Sequence, residues 1–207
     1  MKTYVYVDGF NLYYGCIKGT PYKWLDIDAL CQKLLPKNDI VKIKYFTARV
    51  SARSHDPDQP VRQQAYLRAL ETIPHLQIIY GHFLTNTIKM PVANCPPGKQ
   101  RYETVIKTEE KGSDVNIATH LLWDGFQKNY EVAVLVTNDS DLLTPVKIVR
   151  QELGLTVGLL NPQKRPSVVL LQYASFLKPI RAGVLTSSQF PVSLQDKNGT
   201  FVKPAGW

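Results

Sequence analysis

The stretch EVAVLVT at residues 131–137 limits the fold more than any other part of the chain. An apolar, β-branched run this short fits a strand buried on both faces. Such strands belong to parallel sheets covered by helices on each side. The remaining sequence supplies the alternation that such a sheet needs. TYVYV (3–7), IVKIKYFTARV (40–50), LQIIYGHFL (76–84), LTVGLL (155–160) and SFLKPI (175–180) read as further strands, the last at an edge. Between them lie helical patterns: NLYYGCIK, DIDALCQKLL with Asp26 as N-cap, VRQQAYLRALETI with Pro60 near its start, DVNIATHLLWDGF with Ser113 as N-cap, DLLTPVKIVRQEL, and a short helix over 166–173. The expected architecture is α/β, with a central, mostly parallel sheet and helices on both faces.

Two segments stand outside that alternation. In residues 86–112, TIKMPV and RYETVIKT flank NCPPGKQ, whose Pro and Gly mark a turn; the segment is expected to be an inserted basic hairpin. From Arg181 the chain is rich in Gly, Pro and Ser and is expected to pack as an extended C-terminal arm. The domain is therefore placed at 1–180 and the extension at 181–207.

In open parallel sheets, ligands bind outside the carboxyl ends of the strands, where the strand order reverses. The first strand ends in Asp8, with Asn11 three positions on, and the strand at 131–137 ends in NDSD, which carries Asp139 and Asp141. If these two strands are neighbours, their acids converge. Asp114, at the start of its helix, is on the same face as Ile117, Ala118, Leu121 and Leu122 and is expected to point inward. Ser113, Asn116, His120 and Asp124 form the polar row of that helix. Singly, each acid has an ordinary role: Asp8-Gly9 as a turn, Asp139 and Asp141 as helix caps, Asp114 as an acid at the positive end of a helix. Together they repel by several kcal/mol per close pair at an effective dielectric of about 20. A divalent cation relieves that repulsion, and all-oxygen ligands suit Mg²⁺ or Mn²⁺.

Composition agrees with a polyanionic partner: the 207-residue chain carries a formal net charge of +8. Arg49 and Arg53 follow the second strand, Lys111 precedes Asp114, and Lys99, Arg101 and Lys107 flank Tyr102 on the hairpin. They are candidates for phosphate contacts, with Tyr102 placed to stack on a base. Thr137, Asn138 and Ser140 offer hydroxyl, amide or backbone N–H groups beside the acids. Three cysteines, Cys16, Cys31 and Cys95, form no disulfide framework or zinc pattern, and no signal peptide or membrane span is visible. The expected location is the cytoplasm. VDGFNLYYG lacks the glycine spacing of a dinucleotide-binding turn. It also has Phe10 where a haloacid-dehalogenase-like phosphatase needs a second acid.

YVDGFNLYYG, EKGSDVNIATHLLWDG and VLVTNDSDLLTPVKIVRQELG, in that order, resemble the NYN domain family, a branch of the PIN-like nucleases. The resemblance covers residues 1–180 and implies a PIN-like three-layer fold. It implies a metal-dependent nuclease, an endoribonuclease acting on RNA, with single-stranded DNA as the other candidate substrate. Its motifs match at Asp8, Asn11, Asp114, Asp139 and Asp141, which become the expected catalytic residues; His120 stands where many members have an acid. PIN-like domains often pair with themselves, so a homodimer is expected. The alternative is a nucleic-acid-binding regulatory module that cleaves little or nothing.

Overall fold

The computed structural model describes residues 1–207 apart from 55, 97 and 99. Its centre is a six-stranded sheet of β1 (Lys2–Asp8), β2 (Asp39–Thr47), β3 (Leu76–Tyr80), β6 (Val132–Val136), β7 (Thr156–Asn161) and β8 (Phe176–Pro179). The order is β3-β2-β1-β6-β7-β8, and every adjacent pair is parallel. The order reverses between β1 and β6, where Val7 is level with Val136 and Asp8 with Phe46 of β2. All five residues of β6 are buried, as its composition requires.

Alternation along β1 divides the interior in two. Val5 and Val7 join a core covered by α1 (Gly9–Leu12), α2 (Ile27–Leu34), α3 (Gln59–Leu70) and α7 (Ala182–Ser187). Tyr6 joins a second core under α4 (Ser113–Phe126), α5 (Leu143–Lys147) and α6 (Val168–Leu171). A π-helical turn, Tyr13–Ile17, extends α1, and another, Ile148–Glu152, extends α5. The result is the expected three-layer PIN-like fold. Asp26 caps α2 by accepting the Ala29 N–H at 3.0 Å. No helix among the described residues is long and apolar enough to cross a membrane.

Several expectations need correction. The strand read over 76–84 breaks at Gly81. β3 ends at Tyr80, and β4 (His82–Pro91) leaves the sheet to pair antiparallel with β5 (Tyr102–Lys111). Gly81 permits the break because an added Cβ would lie 2.5 Å from Glu110 Oε1 and 2.6 Å from the Lys111 carbonyl oxygen. The inserted hairpin thus begins four residues earlier than expected. Ser113 is the first residue of α4 and not its cap. Gly112, at φ +98°, turns the chain one residue sooner, and Ser113 donates its N–H and hydroxyl to Glu110 Oε1.

The segment from Arg181 is no extended arm. After α7 it forms a hairpin of β9 (Ser193–Asp196) and β10 (Gly199–Val202). Arg68 of α3 holds this hairpin, donating to both oxygens of Asp196 at 2.6 Å and lying over the Phe201 ring. The buried Trp24 meets Phe190, Phe201 and Trp207 edge-on and donates its indole N–H to the Pro191 carbonyl. Aromatic packing of this kind has no periodicity to announce it.

The polar row assigned to α4 also differs. Ser113 and Asp124 are buried, whereas Val115, Trp123 and Phe126 are more than half exposed. The strands beneath α4 carry polar groups of their own. Lys44 of β2 forms an ion pair with Asp124 and contacts His120 Nδ1, and the Tyr6 hydroxyl donates to Asp124 at 2.7 Å. That network draws His120 and Asp124 toward the sheet.

Candidate metal centre

β1 delivers Asp8 on the Tyr4–Tyr6 face, the one that α4 covers. The chain then enters α1, and Asp8 caps it, one oxygen accepting the Asn11 N–H at 2.9 Å. The other oxygen accepts the Thr137 hydroxyl at 3.1 Å. Thr137 follows β6, and its oxygen in turn accepts the Asp139 N–H at 3.1 Å. Asp139 caps the turn Ser140–Leu142, accepting the Asp141 N–H at 3.0 Å. The capping roles and the clustering of acids therefore coexist, since a carboxylate has more lone pairs than one cap requires.

Asp8, Asp114 and Asp139 each present a carboxylate oxygen, and the three atoms lie within 4.8 Å of one another. They come from a strand end, a helix start and a second strand end. Asp8 is buried, Asp139 half-buried and Asp114 exposed, so Asp114 reaches the other two from the rim. Asp141 stands outside the trio, exposed, with its charge still felt at Asp114. Burial pushes the Asp8 carboxyl up to about 6. The Asn11 and Thr137 hydrogen bonds oppose that rise, and the charges of Asp114 and Asp139 add to it. Burial also raises Asp114, aided by Asp139, Glu110 and Asp141. Among the described residues, no lysine, arginine or histidine forms an ion pair with any of the three.

Asn11 acts on Asp8 through its main chain, while its side-chain oxygen accepts the Asn138 N–H at 3.0 Å. Asn138 is held further by Ser167 and the Arg165 carbonyl. This places Lys164 and Arg165 beside Asn11 and Asn138, along an open depression. Sequence reading passed over these two cations, although PQKR follows the end of β7 and the rule used for Asp8 and Asp139 applies there equally. A separate cavity of about 450 Å³ is lined in part by Gly9, the residue after Asp8, and by Tyr45, Thr47, Arg53 and Glu110. The other expected contact residues are spread more widely. Arg49 bonds Gln64 and lies over the Tyr80 ring. Lys107 and Lys111 both pair with Glu109, which offsets part of the hairpin's charge. Arg101, Tyr102 and Ser140 are exposed, and Lys99 lies outside the described residues.

Gly9 is fixed by close approach, since a Cβ there would sit 2.7 Å from the Phe46 carbonyl oxygen and 2.8 Å from the Tyr45 hydroxyl. Gly9→Ala is expected to cost about 1–3 kcal/mol, as overpacking does, because one of the opposing atoms is backbone. A thermal melt checks this, and an unchanged Tm would show that the strand end yields freely.

A parallel sheet with three carboxylates gathered where its strand order reverses defines a PIN-like nuclease fold. The NYN domain model matches residues 2–178, and the chain belongs to the NYN domain family. It is 29% identical to 6-hydroxy-3-succinoylpyridine 3-monooxygenase HspA of Pseudomonas putida (strain DSM 28022 / S16), over 100% of this chain and 75% of that protein. Among solved structures it is similar in fold to a protein of unknown function from Vibrio parahaemolyticus RIMD 2210633. That likeness has a TM-score of 0.58 at 18% identity and covers 87% of this chain and 93% of the other.

Proposed function

We propose that the protein is a divalent-metal-dependent nuclease that hydrolyses phosphodiester bonds, with RNA as its substrate. The observation that carries this reading is the convergence of Asp8, Asp114 and Asp139 within 4.8 Å, with no cation from the described residues paired to them. The donor set fits Mg²⁺ or Mn²⁺: every ligand atom is a carboxylate oxygen, and one comes from a buried group that is costly to ionise alone. Asp8, Asp114 and Asp139 would hold the ion, with Asp141 at the rim. When bound, such an ion polarises a phosphoryl group and neutralises charge developing on it.

The chain's own groups do the positioning. Thr137 and the Asn11 N–H fix both oxygens of Asp8, and the Asn11 side chain ties the β6 loop to α1. Lys164 and Arg165 sit where they can attract a phosphate next to the acids, a contact that orders the backbone without reading sequence. The test is incubation of the purified protein with labelled single-stranded RNA and DNA in Mg²⁺, Mn²⁺ or EDTA. RNA cleavage that EDTA removes is the expected result. Salt-sensitive binding without cleavage would make the protein a binding module instead.

A second reading comes from the Pseudomonas putida relative, whose name describes hydroxylation of a succinoylpyridine. The cavity beside the acids, with its aromatic walls, gives that reading a place in the fold. Oxygen uptake with 6-hydroxy-3-succinoylpyridine and an electron donor, and no nucleic-acid cleavage, would favour it.

A further inference from the structure

We propose that the cavity beside the acidic trio seats one planar heteroaromatic ring, the unpaired base of the nucleotide next to the reacting phosphate. Tyr45 and Thr47 would be the groups that hydrogen-bond its edge. The proposal rests on the nuclease reading and adds to it a base-selective subsite.

Four observations support it. First, the size, about 450 Å³, is within the range of roughly 300–1,000 Å³ usual for small-ligand sites. Second, the walls are aromatic: Phe10 and Tyr13 on one side, Tyr45 and Tyr66 at the back, Phe83 from the hairpin and Trp207 from the C-terminal segment. Such walls favour a flat ring through stacking.

Third, Tyr45 and Thr47 bring hydroxyls with free hydrogen-bonding capacity to this lining. Tyr45 is 7% exposed and Thr47 is 4% exposed, yet neither hydroxyl makes a hydrogen bond among the described residues. Neither oxygen is fully buried, so both hydroxyls can be reached from the cavity and are free to bond a polar ligand there. Tyr45 and Thr47 are two apart on β2 and share a face, so both can address one edge of a ring.

Fourth, the cavity adjoins the acids. Gly9 lines it and follows Asp8, while Glu110 lines it and its charge acts on Asp114. Lys164 and Arg165 lie next to Asn11. A base seated beside Gly9 and Glu110 would bring the attached phosphate close to Asp8 and Asp114. A free heterocycle shares the ring chemistry but gains nothing from that adjacency, and so a nucleotide is the occupant inferred.

The test is saturation-transfer NMR on the full chain in EDTA, so that binding is read without cleavage. The probes are the 5′- and 3′-monophosphates of the four ribonucleosides, with nicotinate and ribose 5-phosphate in separate arms. Transfer to the ring protons of some bases more than others is expected. Affinity should fall about five- to tenfold in Tyr45→Phe and in Thr47→Val, each of which removes one hydrogen-bonding oxygen with little change of shape. Val50→Trp, at a half-buried lining position, should abolish binding by filling the space. No transfer to any nucleotide would overturn the proposal, and so would undiminished affinity in all three variants or binding of nicotinate alone. Nucleotide binding of this kind in a protein that cleaves no nucleic acid would keep the base seat and sink the nuclease reading. Metal-dependent cleavage without nucleotide binding would do the reverse.

Discussion

Asp8→Asn is expected to lower metal-dependent cleavage at least about 10³-fold, because several kcal/mol of charge stabilisation go with the lost ligand. The same substitution should raise the Tm of the metal-free protein at pH 7.5. The folded-state carboxyl sits at about 6, above its ordinary 3.8, so the folded protein holds that proton more tightly than the unfolded chain. The stability this supplies is fully present below about pH 4 and is lost as pH rises through about 6. A shift of about two units corresponds to about 3 kcal/mol, since Asp8 is only 4% exposed. Asparagine never takes up that charge, so its Tm should exceed that of wild type at pH 7.5 by several degrees, and the gap should close below about pH 4. Mn²⁺ should close the gap by raising wild type and leaving the variant unmoved. Full cleavage by the folded variant would remove Asp8 from the centre.

Asp124→Ala is expected to destabilise the fold by about 3–5 kcal/mol, the cost of leaving a buried cation alone. Lys44 is 6% exposed and Asp124 is its ion-pair partner. The Tyr6 hydroxyl and the Asn129 amide also donate to Asp124, so three donors lose an acceptor at once. In a chain of this length the Tm should drop by about 10 °C or more. The double variant Lys44→Met, Asp124→Leu should recover much of that loss, because it removes the charge together with its counter-charge. A small effect from Asp124→Ala alone would mean that water reaches Lys44 freely.

The sheet was legible because β6 is apolar for its whole length, β1 carries the apolar run Tyr4–Val7, and the turns between elements carry Gly, Pro or acid caps. The convergence of Asp8 and Asp139 followed from strand order. What could not be read were features set by contacts distant in sequence. The exit of β4 from the sheet depends on Gly81 meeting Glu110, which nothing in LQIIYGHFL reveals. The inward turn of His120 and Asp124 depends on Lys44 rising from a strand 80 residues earlier. Helical periodicity alone puts those polar groups in solvent, and it leaves Val115, Trp123 and Phe126 unassigned. The exposure of Asp114 has a related cause: it lies in the first turn of α4, where an inward-facing residue meets the carboxylates at the strand ends and not the core.

The position of β1 has a consequence for biosynthesis. β1 precedes the other strands of the domain yet sits in the middle of the sheet, and Thr3 finds its β6 partner only at Val132. At elongation rates of about 5–20 residues per second, one edge of this apolar ribbon stays unpaired for on the order of ten seconds in the nascent chain. The acidic centre inherits the same delay, since Asp139 is translated 131 positions after Asp8. The three carboxylates therefore meet only after the second half of the domain has emerged, and until then the open flank of β1 is free to pair with the wrong strand.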